Sequence, residues 1–526
     1  MGTHQQGSLL GGGEKGTAGR LRCGRPLLRA VQASGRLAAL LAAFALPALQ
    51  AGAQPAFPGA EGFGAIASGG RGGAVFEITT LDPDPAGTLP GSLNHALRQS
   101  GPRTIVFRVS GVIHGIAQVI HGDVTIAGQT SPGGVIVRGL VCDGHYERND
   151  CDNLVVRHLR LRPGWNLPLP AGGERLDDAL RLDGVNRAIF DHVTLAHAAD
   201  EALQISWASD VTLQDSMLGE TVGDHADRGG VLLNYSHPEH PQDRIALIRN
   251  LWYRVGGRTP EITCEASNYN GQPGQTQSCQ QTPLRLELAN NLYVDPGFLV
   301  WYNRDVDQNP ALGPYAVRLN AVGNRYIARA SYPYGLFLFD LLDVAANQLH
   351  VSDNRISIHP GYADYQLFHC CNDFPMSAPN TAPGNATRLA QRHPFPALAY
   401  LSGDSLAATL PRNVGALPAD PLERRWRDSA LAGLPPPTDY GTPLANDTFD
   451  LDFSQPPAPP ADSDHDGMPD AFEQANGLNP SDPSDRNGTT LSLSCTGAAG
   501  YTNLECWLHQ LAQQRAGGAL FANGYE

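Results

Sequence analysis

From Thr104 to Ile358, apolar residues come in short runs that alternate with polar ones and are broken by glycine, asparagine, aspartate and proline. "TIVFRVSG", "DVTIAG", "GVIVRG", "NLVVRHLRLRPG", "DALRLDG", "RAIFDHVTLA", "DVTLQDSML", "RIALIRNLWY", "LRLELANNLYV", "AVRLNAVGNRYI" and "QLHVSDNRISI" return at intervals of roughly a few tens of residues, the signature of repeated short strands. No amphipathic helical stretch separates them. That excludes an alternating βα sheet and leaves a sandwich, a propeller or a parallel β-helix. Asn250, Asn291, Asn324 and Asn354 favour the last, because each opens a similar pattern ("NLWY", "NLYV", "NRYI", "NRIS"). In a solenoid such residues stack along the axis and satisfy backbone groups that a bend would orphan.

Composition narrows the class. The chain has 526 residues, 58 of them glycine and 41 proline, which fits one large turn-rich β domain and a small module. A net charge of -15 argues against nucleic acid, whose phosphates need clustered Lys and Arg. It argues equally against unaided attraction to an acidic polymer, so an anionic substrate requires a recruited cation. Residues 1–53 are predicted to be an export signal: Arg20, Arg22, Arg25, Arg29 and Arg36 precede "LAALLAAFALPAL", and "AGA" at Ala51 to Ala53 offers a small-residue cleavage site. The apolar run is short for a membrane span, so the mature chain is expected to be extracellular, free of the membrane and monomeric.

Without Cys23, eight cysteines remain in close pairs: Cys142 with Cys151, Cys264 with Cys279, Cys370 beside Cys371, and Cys495 with Cys506. Local disulfides are the expectation over zinc, since no CxxC pair with matching histidines is present.

"AFPGAEGFGA" at Ala56 to Ala65, "SGGRGG" at Ser68 to Gly73, "PGSLNHAL" at Pro90 to Leu97, "RTIVFRVSG" at Arg103 to Gly111, "TIAGQTSPGG" at Thr125 to Gly134 and "LRLRPG" at Leu159 to Gly164 follow one another in order. On these strings the chain, from about Ala56 to Asn354, resembles the pectate lyases, the first family of polysaccharide lyases. The resemblance implies an all-β, right-handed parallel β-helix over residues 54–440. It also implies a cleft in which Ca2+ bridges protein carboxylates to the carboxylate of a galacturonate. Asp178 and Asp200 match two calcium-ligand positions, and Asp191 with His192 matches an Asp-His signature that supports the structure beneath the cleft. The third ligand position holds Gln204, a departure that leaves a weaker site or one that recruits Glu201.

The physical logic agrees. Calcium takes several hard oxygen ligands, and carboxylates from neighbouring coils supply them. β-Elimination needs a base for the C5 proton and a group that stabilises enolate-like charge. The resemblance places Arg258, in "RTP", as that base. A guanidinium resists deprotonation, so nearby calcium and alkaline medium are needed to make it available. Two further departures concern substrate binding: Thr263 stands where the family often has a second Arg, and a family Lys has only Arg228 nearby as a carboxylate clamp. His225, His237 and His240 lie in a turn-rich stretch that borders the expected cleft. Trp165, Trp207 and Trp252 are either packed or stacked on sugar.

Beyond about Gly441 the character changes. "QPPAPPA" belongs to a stiff linker over 441–461. The module 462–526 opens with "DSDHDGMPDAFE", where Asp462, Asp464, Asp466, Asp470 and Glu473 occupy positions one, three, five, nine and twelve of a calcium loop, with Gly467 at its sharp turn. The Pro-rich entry precludes a normal incoming helix, so the loop resembles thrombospondin type 3 or dockerin-like loops. Such a module is expected to be structural, a spacer or an attachment element, and "DPSDRNG" offers a partial second site.

Three functions compete: a secreted calcium-dependent lyase of pectate or a related uronate polymer, a polygalacturonase-like hydrolase, and an inactive β-helix that binds polysaccharide. For the hydrolase, Asp177 and Asp178 are the nearest pair, but adjacent strand residues point to opposite faces.

Overall fold

The computed structural model describes residues 54–144, 149–222, 229–264, 279, 281–304, 314–369 and 375–516. Among them, strands form sheets of 11, nine and seven members, joined by parallel pairing throughout, plus a two-stranded pair. One coil shows the plan. Leu180–Asp183 enters the seven-stranded sheet, Asn186–Asp191 the 11-stranded and Thr194–Ala196 the nine-stranded. The next coil lays Leu203–Ser206, Ser209–Gln214 and Met217–Gly219 on them in register. The protein is a parallel β-helix.

Alternation along each strand sends every second side chain inward. In the seven-stranded sheet this builds the column Leu182, Ile205, Leu233, Ile262 and Tyr302, all in register and all 0% exposed. Each such apolar side chain contributes about 1.5–3 kcal/mol by leaving water. Trp252, Tyr293 and Tyr326 continue the stacking, with ring centroids 4.9 and 4.1 Å apart.

The corner between the 11- and nine-stranded sheets explains the recurrent asparagines. One residue there adopts positive φ on successive coils: Asp215 (49°), Arg249 (53°), Asn290 (51°), Gly323 (70°) and Asp353 (57°). Left-handed backbone costs a non-glycine residue roughly 1–2 kcal/mol. The next residue offsets this. Asn291 Oδ1 accepts from the backbone N of Asn250 at 3.1 Å, Asn324 Oδ1 from Asn291 N at 3.0 Å and Asn354 Oδ1 from Asn324 N at 3.1 Å. Their amide nitrogens donate to the carbonyls of Leu247, Leu288 and Ala321 at 2.8–2.9 Å. The ladder thus pairs the buried groups that the bend would leave bare.

Two sheets are covered. Helix Pro421–Ala432 buries Leu422, Trp426 and Ala430 against Leu251, Tyr253 and Leu292 of the nine-stranded sheet. The N-terminal segment packs on the 11-stranded sheet through Phe57, Ala67 and Phe63. Gly64 there runs so close that a Cβ would sit 2.0 Å from the Ala188 carbonyl oxygen, so only glycine fits. Residues of the expected linker lie along the coils, with Phe449 under the Arg138 guanidinium at 4.7 Å and Thr448 buried. The seven-stranded sheet, by contrast, presents the outward row Val141, Arg181, Gln204, Leu232 and Glu261.

Disulfides join Cys142 to Cys151, Cys264 to Cys279 and Cys495 to Cys506. Cys370 and Cys371, the export signal 1–53, Arg228 and His225 lie outside the described residues. No helix among the described residues is long and apolar enough to cross a membrane.

Candidate active site

Asp178 ends the turn before strand Leu180–Asp183, and Asp200 and Glu201 end the equivalent turn one coil later. Parallel stacking therefore brings the three carboxylates together, with ligand oxygens within 4.8 Å of one another. Asp178 Oδ1 accepts from the Glu201 backbone N at 3.0 Å, which locks the turns to each other. Asp178 and Glu201 are buried, whereas the Asp200 side chain is 37% exposed and faces solvent. Burial pushes the Asp178 carboxyl up to about 7, and the charge of Asp200 adds to the rise against the pull of Arg181.

Arg258 enters this cluster from a coil 58 residues beyond Asp200. Its Nε donates to Glu261 Oε2 at 3.0 Å, its Nη1 to Asp200 Oδ1 at 3.5 Å, and Nη1 also pairs with Glu201. The residue itself has φ 53° and is 8% exposed. A guanidinium is thus held among three carboxylates at the edge of the open sheet. Hard oxygens converging from two coils are a donor set that suits calcium.

Gln204 lies on the same face, but its amide nitrogen donates to Ser206 Oγ at 3.0 Å and Asp183 Oδ1 at 3.4 Å. Two neighbours escaped sequence reasoning. Glu261 is three residues beyond Arg258 and in register, through Leu232, with Gln204. Arg181 is the register partner of Gln204, 35% exposed, with Nε on Asp183 Oδ2 at 2.9 Å and Nη1 3.9 Å from Asp178. The outward parity of strand residues is the signal that marks both. Lys15 is the chain's only lysine, so the permanently cationic side chains at this site are arginines.

The opening carboxylate of the "FDH" string has a different task. Asp191 is buried and accepts from Arg157 Nε and Gln214 Nε2, both at 2.8 Å, with His192 Nδ1 at 3.1 Å. Burial alone would raise its pKa, but His192 and Arg157 outweigh it and hold the carboxyl well below the usual range. His192 stacks on His158 at 4.9 Å in the sheet corner, a structural place. Trp207 and Trp252 are buried, while Trp165 is exposed with Arg175 stacked 3.9 Å over it. His240 borders a separate groove with Asp150, Asp152 and Trp207, and His237 is buried beside it.

The C-terminal loop forms a second acidic cluster. Asp462, Asp464 and Asp466 converge, and Asp466, Glu473 and Asp485 do likewise. Gly467 turns at φ 92°, and its N–H donates to Asp462 Oδ2 at 3.0 Å. Asp470 is not drawn in: its oxygens accept from Ser463 N and Oγ, both at 2.7 Å. Asp485, in the stretch expected to add a partial second site, completes this one instead. Burial, then Asp466, pushes the Glu473 carboxyl up to about 8, and burial with Asp464 pushes Asp466 to about 7.

No protein-family model matches the chain. It is 28% identical over 475 residues to the "Probable pectate lyase C" of Aspergillus fumigatus, covering 87% of this chain and 93% of the relative. It is 27% identical over 472 residues to the protein of that name in Emericella nidulans, again covering 87% and 93%. Among solved structures it is similar to a Bacillus pectate lyase in complex with trigalacturonate, at 11% identity and TM-score 0.40, over 68% of this chain and 99% of that one. It is also similar to jun a 1, the major allergen of cedar pollen, at 14% identity and TM-score 0.35, over 68% and 93%.

Proposed function

We propose that this pectate-cleaving polysaccharide lyase acts by calcium-assisted β-elimination on polygalacturonate, or a related uronate polymer, outside the cytoplasm. The observation that carries the reading is Arg258 held among Asp200, Glu201 and Glu261 beside Asp178, on the outward face of the seven-stranded sheet.

Asp178, Asp200 and Glu201 would hold the ion, with Gln204 at the margin. When bound, calcium would supply positive charge that bridges the acidic protein to an acidic uronate and lowers the proton affinity of the neighbouring guanidinium. In its neutral form Arg258 takes the C5 proton and hydrogen-bonds the developing enolate-like charge; the C4–O4 bond then breaks to leave a 4,5-unsaturated end, and the departing O4 takes a proton from solvent water. Glu261 orients Arg258 through its Nε, and so directs the Nη nitrogens at the cleft. Arg181 and Arg228 serve the substrate carboxylates, because a guanidinium fork matches a carboxylate in two hydrogen bonds. Three disulfides support export, as they persist in oxidising compartments. The C-terminal loop is a calcium loop with a structural role.

Hydrolysis is the poorer fit. Asp177 is exposed and Asp178 buried, so the pair does not flank one bond. The test is ultraviolet absorbance of the mature protein with polygalacturonate at alkaline pH, in calcium and then in chelator. A chelator-sensitive rise is expected. New reducing ends without that rise would mean hydrolysis, and neither signal would leave a binding protein.

A further inference from the structure

In most of this molecule, buried carboxylates have partners. At the C-terminal loop several of their oxygens do not. Both oxygens of Glu473, both of Asp464, and one each of Asp466 and Asp485 are inaccessible to solvent and accept no hydrogen bond. Glu473 and Asp466 are each 0% exposed and point into the same small space. Leaving such groups unpaired costs more than a folded domain tolerates at several adjoining positions, so a divalent cation is the missing partner.

The cluster also sits at a particular place. Strand Ala74–Ile78 is one edge of the 11-stranded sheet and, among the described residues, pairs only with Arg103–Phe107. Edge strands with one neighbour open most readily. Here Arg108 links the edge to the loop: its Nε is 3.3 Å from Glu77 Oε1, its Nη1 3.9 Å from Asp462 Oδ2, and its Nη2 donates to the Pro460 carbonyl at 2.6 Å. His465 Nδ1 lies 2.8 Å from the other Glu77 oxygen. Behind the loop, Met468, Phe472, Leu504 and Leu508 bury themselves on Ala127. Farther along, Arg71 and Glu505 pair at 2.7 Å.

We propose that Asp462, Asp464, Asp466, Glu473 and Asp485 hold one calcium ion, and that this ion clamps the C-terminal segment over the first strands of the β-helix. The inference rests on the calcium-loop reading above and adds to it a ligand set and a purpose. Asp485 comes from beyond the helix Asp470–Asn476, so closing the shell fixes the loop, that helix and the turn after it as one body. Asp470, engaged by Ser463, stays outside the shell. The segment is therefore a fastener for the first edge of the 11-stranded sheet, not a tethered spacer.

The test uses the full mature chain carrying Asp178→Asn, so that the cleft does not contribute. Terbium luminescence, excited through Trp507, reads binding, and hydrogen exchange of residues 74–78 and 103–107 in calcium and in chelator reads the clamp. Asp485→Asn is expected to weaken terbium binding by about tenfold or more, and Asp470→Asn by less than about twofold. Calcium is expected to slow exchange at both strands by about tenfold or more, and Asp485→Asn to abolish that protection. Asp464→Asn serves as the second ligand variant should Asp485→Asn not fold. No terbium binding by the parent would overturn the calcium reading itself. Binding with exchange unchanged at both strands would overturn the clamp alone, and a larger effect of Asp470→Asn would overturn the ligand set.

Discussion

The two acidic clusters are built from the same residue types and solve their charge in opposite ways. In the cleft, Arg258 stands among Asp200, Glu201 and Glu261, and Arg181 leans on Asp178 and Asp183. At the C-terminal loop the cluster holds no arginine among the described residues, and Arg108 stands beside it, 3.9 Å from Asp462 Oδ2. A cluster that carries its own cations can exchange ions and admit substrate. A cluster of bare, buried carboxylates gains stability from a bound cation. The first arrangement suits chemistry and the second suits fastening.

The largest expected effect tests the cleft's cation. Arg258→Lys keeps a positive charge but loses the fork, and turnover should fall by about 10³-fold while the unfolding midpoint and calcium binding hold. Turnover near the parent's would remove Arg258 from the mechanism.

Next is the pH response of the fastened end. Burial, then the charge of Arg157, holds the His509 imidazole down at about 4. The folded chain then binds fewer protons than the unfolded one between about pH 4 and 6.5, so stability rises with pH across that window. Acidification through it should cost up to about 3 kcal/mol, read as faster hydrogen exchange in helix Asn503–Arg515. His509→Gln should flatten the slope, and an unchanged slope would assign it to other groups.

A smaller effect separates the half-exposed ligand from the buried ones. Asp200→Ala should raise the calcium concentration needed for half-maximal activity by about tenfold. An unaltered requirement would take Asp200 out of the ligand set.

The smallest effect compares the clusters directly. In chelator, Glu473→Gln removes an unpartnered buried carboxyl from among other carboxylates and should stabilise the chain by about 1 kcal/mol, whereas in calcium it should destabilise. Glu201→Gln deprives Arg258 of a partner and should destabilise under both conditions. Equal signs at the two sites in chelator would mean that the two clusters manage their charge alike.

Much of this was legible in the chain. The period-two runs set the coils, the recurring asparagines announced the ladder, and cysteines nine to 15 residues apart paired as local disulfides. All of these are local or recurrent patterns, and the sequence by itself determined them. The Asp-Xaa-Asp-Xaa-Asp-Gly loop was equally plain, because its backbone turn and ligands lie within a dozen residues. What tertiary structure alone decided was which distant side chains meet. Arg258 reaches Asp200 across 58 residues, and Glu261 and Arg181 join them only through strand register. Asp485, from beyond the helix Asp470–Asn476, lies with Asp466 and Glu473, whereas the Asp470 carboxylate is engaged by Ser463. The physical reason is the solenoid itself: parallel stacking aligns coils by hydrogen-bonded register, whatever length of loop intervenes, so spacing in the chain carries little information about adjacency on the sheet.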